Sequence, residues 1–354
     1  MNKKKLRFGI IGFRMGMAHA DGLKTLYGGE LVAVCDNDAK ILDEAMSHTG
    51  LDSNACYLDY KDMIKRDDID IIIVACPDQI HCEHTIEALK AGKHVLCEKP
   101  MAMTVEECAM MIAASEETNK KLMIGQVCRY SPGFVAAKKL IDSGTIGELF
   151  YVESEYAHDY SESQGIGNWR IDPVRLRHPA LGGGCHAVDL LRWIAGDPVS
   201  LCAFSNKKVL KDWPVDDCTV SILNFPNRVI GKVMVSVGCK RDYTMRSCFY
   251  GNQGTIIADN QLPYILVYKN QIKEQGKVFE GVQDKVIYMK YPVEINNHNT
   301  TAEIKEFIDI INEDKPVKTT GMQGAYTVAT CMAMVESSSK NGQLITIDYN
   351  LNKK

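Results

Sequence analysis

The sequence predicts an α/β domain with a doubly wound parallel sheet, followed by an α+β domain with a large open, mostly antiparallel sheet. Its 354 residues exceed the usual size of one domain. Up to about residue 127, short apolar runs alternate with helical patterns, as in a parallel sheet covered by helices on both faces. Later, strand patterns follow one another with turns between them. We therefore predict domains at 1–127 and 128–354.

The composition excludes several classes of protein. With 41 basic and 45 acidic residues the net charge is −4, which argues against a nucleic-acid partner. The longest apolar run, Ile71–Cys76, is far below the ~20 residues that cross a bilayer. The basic start Met1–Lys5 is followed by Arg7 and two glycines rather than by a continuous apolar region and a cleavage site. We expect a cytoplasmic protein without a membrane partner.

The thirteen cysteines are scattered and include no Cys-x-x-Cys pair, so we interpret them as free thiols. One local cluster contains ligand-type residues, namely Cys76, His81, Cys82 and His84. Its spacing fits no usual zinc pattern, and no metal is predicted.

In the first domain, three helix ends carry recognisable signals. Asp38 is an N-cap residue and Gly50 a C-terminal stop, and Thr104 with Glu107 forms a capping box. The predicted strands are Leu6–Ile11, Leu31–Cys35, Ile69–Ala75, His94–Cys97 and Lys121–Gln126. The predicted helices are Met15–Tyr27, the segments Asp38–Gly50 and Thr104–Thr118, and His81–Ala91.

In the second domain, a long irregular stretch, His158–Ala180, interrupts the regular elements, and loops of this length usually carry function. The predicted helices are Pro132–Ser143, Cys185–Ile194, Thr300–Asn312 and Gly321–Ser338. The predicted strands are Leu149–Ala157, Val199–Asn206, Cys218–Phe225, Val229–Val237, Thr244–Gly251, Thr255–Ala258, Tyr264–Tyr268 and Leu344–Asp348, within a strand-rich region extending to about Tyr291.

The first strand ends in a glycine turn, Gly12–Gly16, of the kind that places a pyrophosphate at a helix N-terminus in Rossmann domains. The copy is imperfect, because Arg14 stands at the second glycine position and Gly16 comes one residue early. Asp36 ends the second strand, where its carboxylate can accept hydrogen bonds from both ribose hydroxyls and repel a 2′-phosphate. The sequence therefore favours NAD over NADP, although Arg14 could reach a phosphate.

Further motifs resemble the sugar-oxidoreductase family of glucose-fructose oxidoreductase and inositol dehydrogenase (Gfo/Idh/MocA). These motifs are Ala75–His81, Ala91–Pro100, Cys128–Pro132, Asn168–Arg170, Gly182–Asp189 and Glu303–Phe307, in order along nearly the whole chain. The resemblance implies an NAD(P)-dependent dehydrogenase that acts on a CH–OH group of a sugar or cyclitol. It also implies that the open sheet pairs with a second subunit, giving a homodimer or homotetramer.

Lys99 and His186 are the predicted catalytic residues. Lys99 follows a parallel strand at its carboxyl end, where such sheets place ligands, and it can act as the base if burial or the positive charge of an oxidised nicotinamide lowers its pKa towards about 7–8. The resemblance implies that Lys99 bonds the nicotinamide ribose and the substrate hydroxyl, and that His186 is the second acid–base residue. Asp189 either orients the imidazole of His186 or pairs with Arg192.

The resemblance also implies two sets of binding residues. The cofactor set is Gly12, Phe13, Arg14, Met15, Asp36, Ala75, Cys76, Pro77, His81, Glu98, Lys99, Gln126, Trp169 and Arg170. The substrate set is Arg129, Tyr130, Tyr156 and Asp189.

One position departs from the family. Many of its dehydrogenases carry an aspartate four residues before the histidine, and here that residue is Gly182. Either Asp159, Glu162 or Asp172 supplies the carboxylate, or Lys99 and His186 work without it. Alternatively, the protein is a glycosidase that oxidises its sugar transiently with bound NAD.

Two further alternatives concern the role of the whole chain and of one loop. A non-catalytic dinucleotide sensor would not need the pair Lys99 and His186, which argues against that class. Arg175, Arg177 and His178 make the long loop basic, which indicates a solvated face or, less commonly, a site for an acidic or phosphorylated sugar.

Overall fold

A computed structural model of the chain describes residues 5–269 and 287–351. The side chains of Ile166 and Ile287 are not described. Most of the basic start, and residues 270–286 of the predicted strand-rich region, lie outside the described residues. Within the described ranges, no helix combines the length and the apolar character that crossing a bilayer requires.

The first half of the chain forms a six-stranded sheet in the order β3-β2-β1-β4-β5-β6, with every pairing parallel. The strands are β1 (Leu6–Ile11), β2 (Gly29–Cys35), β3 (Cys56–Tyr57), β4 (Ile71–Val74), β5 (His94–Glu98) and β6 (Leu122–Gly125). The strand order reverses between β1 and β4, and ligands bind at such a point, beyond the carboxyl ends of the strands. The predicted doubly wound sheet is confirmed, and the two-residue β3 is an addition.

The helices around this sheet are α1 (Phe13–Lys24), α2 (Ala39–Thr49), α3 (Tyr60–Ile64), α4 (His81–Lys90) and α5 (Val105–Thr118). The predicted caps are confirmed: Asp38 accepts from the Lys40 N–H, Gly50 is left-handed, and Thr104 forms the capping box with Glu107. Helix α1 begins at Phe13, two residues earlier than predicted, because the turn consists of Gly12 alone. The short helix α3 was not predicted.

The second half forms a nine-stranded sheet in the order β14-β13-β12-β11-β7-β10-β9-β8-β15. The strands are β7 (Leu149–Ala157), β8 (Ser200–Asn206), β9 (Cys218–Asn224), β10 (Ile230–Ser236), β11 (Thr244–Gly251), β12 (Gly254–Asp259), β13 (Tyr264–Lys269), β14 (Ile287–Pro292) and β15 (Ile345–Thr346). Its pairings are antiparallel except for β7 with β10. The predicted fold class is confirmed.

Five helices accompany this sheet: α6 (Pro132–Asp142), α7 (Pro179–Gly182), α8 (Cys185–Ala195), α9 (Thr300–Asn312) and α10 (Gly321–Ser339). Helix α8 packs against β7 and α10 against β8, which covers one face of the sheet. On the other face, alternate residues of β9 are exposed, including Val220 and Ile222. Helix α9 instead packs against α1, and its Phe307 joins the apolar core beside the parallel sheet.

Candidate active site

A cleft of about 820 Å³ lies at the carboxyl ends of the parallel strands. One wall is formed by the ends of β1, β2 and β4 and by the start of α1. The opposite side comes from the long loop of the second half, through Gly165, Trp169 and Arg170. Seven other residues of the predicted cofactor set line the cleft, namely Gly12, Arg14, Met15, Asp36, Ala75, Cys76 and Pro77.

Gly12 lies close against the segment that follows β4. Its φ is +88°, and a Cβ there would lie 2.6 Å from both the Ala75 carbonyl oxygen and the Cys76 nitrogen. Helix α1 begins at the next residue. Because its N-cap is Gly12, no N-cap side chain occupies the N–H groups of the first turn. A crowded glycine at the N-terminus of a helix that opens into a cleft fits the pyrophosphate of a dinucleotide.

Asp36 stands at the end of β2 and is fixed by the backbone. Its Oδ2 accepts from the Phe13 N–H at 3.0 Å and its Oδ1 from the Asp38 N–H at 3.1 Å. A carboxylate has about four acceptor sites, so it keeps capacity for ribose hydroxyls. Arg14 forms an ion pair with Glu44 at 2.9 Å, which partly neutralises the cation that could attract a 2′-phosphate.

His81 is 1% exposed and does not line the cleft, although it is in the predicted cofactor set. Its Nδ1 lies 2.8 Å from the Pro100 carbonyl and its Nε2 2.9 Å from the Cys76 carbonyl. Two carbonyl acceptors require two N–H donors, which the imidazolium alone provides. Burial favours the neutral ring, but Cys97, Asp78 and the Pro100 carbonyl outweigh it and raise the pKa of His81 to about 9.

The two hydrogen bonds of the His81 imidazolium make the stability of the protein depend on pH. The pKa of His81 is about 9 in the folded protein and about 6.5 when unfolded, so its contribution is complete below about pH 6.5 and is lost as the pH rises through about 9. We expect the free energy of unfolding to fall by about 1–3 kcal/mol more for the unaltered protein than for His81→Gln between pH 6.5 and 10. Urea denaturation across this range measures it, and parallel curves for both proteins would contradict it.

Lys99 follows β5, and its peptide bond to Pro100 is cis. The neighbouring Glu98 is buried, bonds His19 Nε2 at 2.8 Å and accepts the Lys99 N–H at 3.0 Å. Burial disfavours the ammonium, but Cys185, Glu98 and Asp78 outweigh it and raise the pKa of Lys99. Since a thiol is uncharged at neutral pH, the two carboxylates account for this effect there. Burial alone does not lower the Lys99 pKa, and the fall expected beside an oxidised nicotinamide stays a prediction.

His186 lies in the first turn of α8 and is 2% exposed. Burial holds its pKa well below the ordinary value, and the charge of Lys99 lowers it further, followed by those of His298 and Arg177. Its Nδ1 is 3.3 Å from Cys128 Sγ, and its ring stacks on Tyr156 at 6.2 Å between ring centroids. The side chain is therefore a neutral imidazole at pH 7, which can accept a proton.

All four members of the predicted substrate set bond other protein groups. Arg129 and Asp189 form a bidentate ion pair with two distances of 2.7 Å, and their side chains are 8% and 1% exposed. The hydroxyl of Tyr130 donates to Glu306. Asp189 therefore pairs with Arg129, and at a longer distance of 3.9 Å with Arg192, instead of orienting His186. Tyr156 lies against the His186 ring, and its hydroxyl is hydrogen-bonded to that of Tyr160 at 2.8 Å.

Four further residues of the predicted cofactor set are Phe13, Gln126, Trp169 and Arg170. Phe13 and Gln126 are buried, and Gln126 Oε1 has no hydrogen-bond partner among the described residues. Trp169 and Arg170 line the cleft, with the Arg170 guanidinium 4.9 Å from the Trp169 ring centroid.

The structure adds residues that the sequence did not indicate. His298 stacks on His186 at 5.4 Å between ring centroids, and its Nε2 is 3.2 Å from the Tyr243 hydroxyl. Within the described ranges, one group of three His, Cys, Asp or Glu residues has its possible metal-ligand atoms within 4.8 Å of one another. Its members are Cys128, His186 and His298. His298 stands in the irregular segment between β14 and α9, where no pattern pointed to it. The absence of a metal stays a prediction.

The long loop is attached to the segment after β4. Gln79 Nε2 donates to the Trp169 carbonyl at 2.9 Å and to the Arg175 carbonyl at 3.3 Å. Arg177 is buried and forms an ion pair with Asp78, so the interpretation of Arg177 as part of a solvated face is wrong. Asp159 pairs with Lys240, and Asp172 accepts the Val174 N–H.

Two parts of the chain match family descriptions. Residues 6–126 match an oxidoreductase family with an NAD-binding Rossmann fold, and residues 134–257 match the GFO/IDH/MocA C-terminal domain. The chain is 28% identical over 267 residues to inositol 2-dehydrogenase of Salmonella typhimurium, covering 70% of this chain and 72% of that protein. It is 35% identical over 162 residues to a glycosyl hydrolase family 109 protein of Shewanella baltica, covering 44% and 35%.

Solved structures share the fold. Levoglucosan dehydrogenase in complex with NADH has a TM-score of 0.84 at 23% identity, over 97% of this chain and 99% of that one. An oxidoreductase domain protein from Kribbella flavida has a TM-score of 0.85 at 24% identity, over 98% and 100%.

Proposed function

The chain belongs to the Gfo/Idh/MocA family of oxidoreductases, and from this premise we propose that it is an NAD-dependent dehydrogenase of a sugar or cyclitol hydroxyl. Relatives named inositol 2-dehydrogenase and levoglucosan dehydrogenase support this class of substrate. The single observation that carries the proposal is the approach of Lys99 and His186. They come from the end of β5 and the start of α8, and they are close enough for the Lys99 charge to lower the pKa of His186.

Two of the residues lining the cleft bear on the choice of cofactor. We assign the pyrophosphate to the start of α1 beside Gly12 and the adenosine ribose to the carboxylate of Asp36. When bound, NAD supplies the nicotinamide carbon that accepts a hydride from the substrate. The fixed carboxylate of Asp36 and the pairing of Arg14 with Glu44 both favour NAD over NADP.

The acid–base roles follow from the protonation of the two side chains. The Lys99 ammonium, which makes no hydrogen bond with the described residues, can donate to the substrate oxygen and stabilise negative charge as the hydroxyl ionises. His186 is neutral and can take up the hydroxyl proton. In the opposite direction, the protonated imidazole returns that proton.

A second candidate is an NAD-dependent glycosidase that oxidises its sugar transiently. The similarity to glycosyl hydrolase family 109 proteins favours it, although the chain covers only 35% of the Shewanella baltica protein. The glycine at position 182, in place of the aspartate of many dehydrogenases in the family, also favours it.

One panel separates these functions. Sugars, cyclitols and aryl glycosides are incubated with the protein and NAD⁺, while absorbance at about 340 nm and aglycone release are followed together. Net NADH supports the dehydrogenase, and release without net NADH supports the glycosidase. If neither occurs in a protein that binds NADH, the sensor function replaces both. NADP⁺ in place of NAD⁺ tests the cofactor preference.

We further propose that the open face of the nine-stranded sheet joins two copies of the chain. Phe204, Val220 and Ile222 are 65%, 39% and 45% exposed on adjacent strands of that face. Exposed apolar patches of this kind mark association surfaces. Light scattering should give the mass of a dimer or tetramer, and Ile222→Glu should lower it; an unaltered monomeric mass would contradict the proposal.

A further inference from the structure

Gly182 leaves space that another side chain occupies. A Cβ at this position would lie 2.2 Å from Cζ and 2.2 Å from Nη1 of Arg177. The guanidinium therefore packs directly against the glycine backbone, in the place where a side chain of residue 182 would begin. The next glycine behaves similarly, because a Cβ at Gly183 would lie 2.2 Å from Cζ of Tyr156. Both contacts lie just before His186 in the chain.

Arg177 is held firmly in this position. It is 4% exposed, its Nε donates to Asp78, and its Cζ lies 5.0 Å from the centroid of the Trp169 ring. Its charge acts on both Lys99 and His186, lowering the pKa of His186. The Arg177 guanidinium, packed on Gly182 four residues before His186, therefore lies in the neighbourhood of the two proposed acid–base residues.

Two nitrogens of this guanidinium are left for a ligand. Nε is used by Asp78, whereas Nη1 and Nη2 make no hydrogen bond with the described residues. A guanidinium edge matches a carboxylate with two parallel hydrogen bonds.

The charges around these residues do not oppose an anionic ligand. Lys99 and Arg177 balance Asp78 and Glu98, so these four groups sum to zero. An aspartate at position 182 would add a negative charge and remove the space for the guanidinium. The combination of Gly182 and Arg177 accepts a negative charge that an aspartate there would repel.

We propose that the substrate carries a carboxylate, as in a sugar acid, and that Arg177 binds this group beside Lys99 and His186. The proposal rests on the dehydrogenase function proposed above and names its substrate class. Among neutral and acidic members of one sugar series, the acid is the preferred substrate. Arg177 is a specificity-determining residue, and Gly182 is needed to make room for it.

The test compares glucose, glucuronate and glucose 6-phosphate, and galactose with galacturonate, in the full-length protein with NAD⁺. We expect kcat/KM to be at least about 10-fold higher for the acids. Arg177→Met should lower kcat/KM for the acids by about 100-fold and for the neutral sugars by less than about 3-fold. Arg175→Met, two residues away on the exposed part of the loop, should leave the acid-to-neutral ratio unchanged.

Equal losses for acids and neutral sugars in Arg177→Met would overturn the inference, because the Arg177–Asp78 pair would then be structural. Turnover of neutral sugars without the acids, or of the phosphate ester alone, would also overturn it while sparing the dehydrogenase function. Absence of NADH with every compound would overturn the dehydrogenase function instead. In that case, calorimetric binding of glucuronate to the NADH complex still tests the inference about the carboxylate. Saturable binding of glucuronate without binding of glucose supports the inference, and absence of glucuronate binding refutes it. If Arg177→Met fails to fold, calorimetric binding of glucuronate to the NADH complex of the unaltered protein tests the inference instead.

Discussion

Lys99→Ala is expected to lower turnover by about 10²–10⁴-fold, the usual loss for a removed acid–base group. The physical reason is that the Lys99 ammonium, at the end of β5, is the group that we expect to donate to the substrate oxygen. The raised pKa of Lys99 keeps it charged across the neutral range, so the loss should be similar from about pH 6 to 9. NADH formation on the best substrate of the panel, measured at saturating substrate, gives the rate.

Two controls accompany this variant. Lys90→Ala removes an exposed lysine at the end of α4 and should keep the unaltered rate. Added primary amines should restore part of the activity of Lys99→Ala, because a small ammonium can enter the space left by the side chain. A Lys99→Ala protein that binds NADH and turns over at the unaltered rate would show that another group handles the proton.

Gly12→Ala is expected to weaken NADH binding by at least about 100-fold. Its added methyl group would meet the Ala75 carbonyl and the Cys76 nitrogen at 2.6 Å, and the φ of +88° is unfavourable for alanine. Overpacking of this kind costs about 1–3 kcal/mol, and the strained φ about 1–2 kcal/mol more. The ends of β1 and β4 must separate, which displaces the start of α1. Equilibrium dialysis with NADH measures the change.

Gly50→Ala is the matched control for this variant. Gly50 has a φ of +77° at the end of α2, and nothing lies within 4 Å of its Cβ position. It therefore carries the same backbone penalty without the clash. We expect it to lose about 1 kcal/mol of stability and to bind NADH normally. Equal losses of affinity in the two variants would attribute the effect to backbone strain and contradict the role of the β1–β4 contact.

The parallel sheet was predictable because its strands are continuous buried apolar runs and its helices end at strong caps. Strand Leu6–Ile11 and the Thr104 capping box were predicted residue for residue. The elements that were missed, β3 and α3, are two and five residues long, too short for a periodic pattern. Their positions depend on packing against β2 rather than on local sequence.

The candidate site was only partly predictable. Lys99 and His186 were found through motifs, but the direction of the Lys99 pKa was not, because it depends on Asp78, a residue from another strand end. Arg177 looked like one charge of a basic loop, and its burial follows from the contact with Gly182. His298 has no motif, since it reaches His186 only through the packing of the segment before α9.

The attachment of the long loop to Gln79 has a consequence for how the two ligands affect each other. The same loop lines the cleft through Trp169 and carries Arg177 to the neighbourhood of Lys99. Because both proposed ligands bind against this loop, linkage requires each to change the affinity of the other by the same factor. The sugar and the dinucleotide should therefore have equal and reciprocal effects on each other's binding.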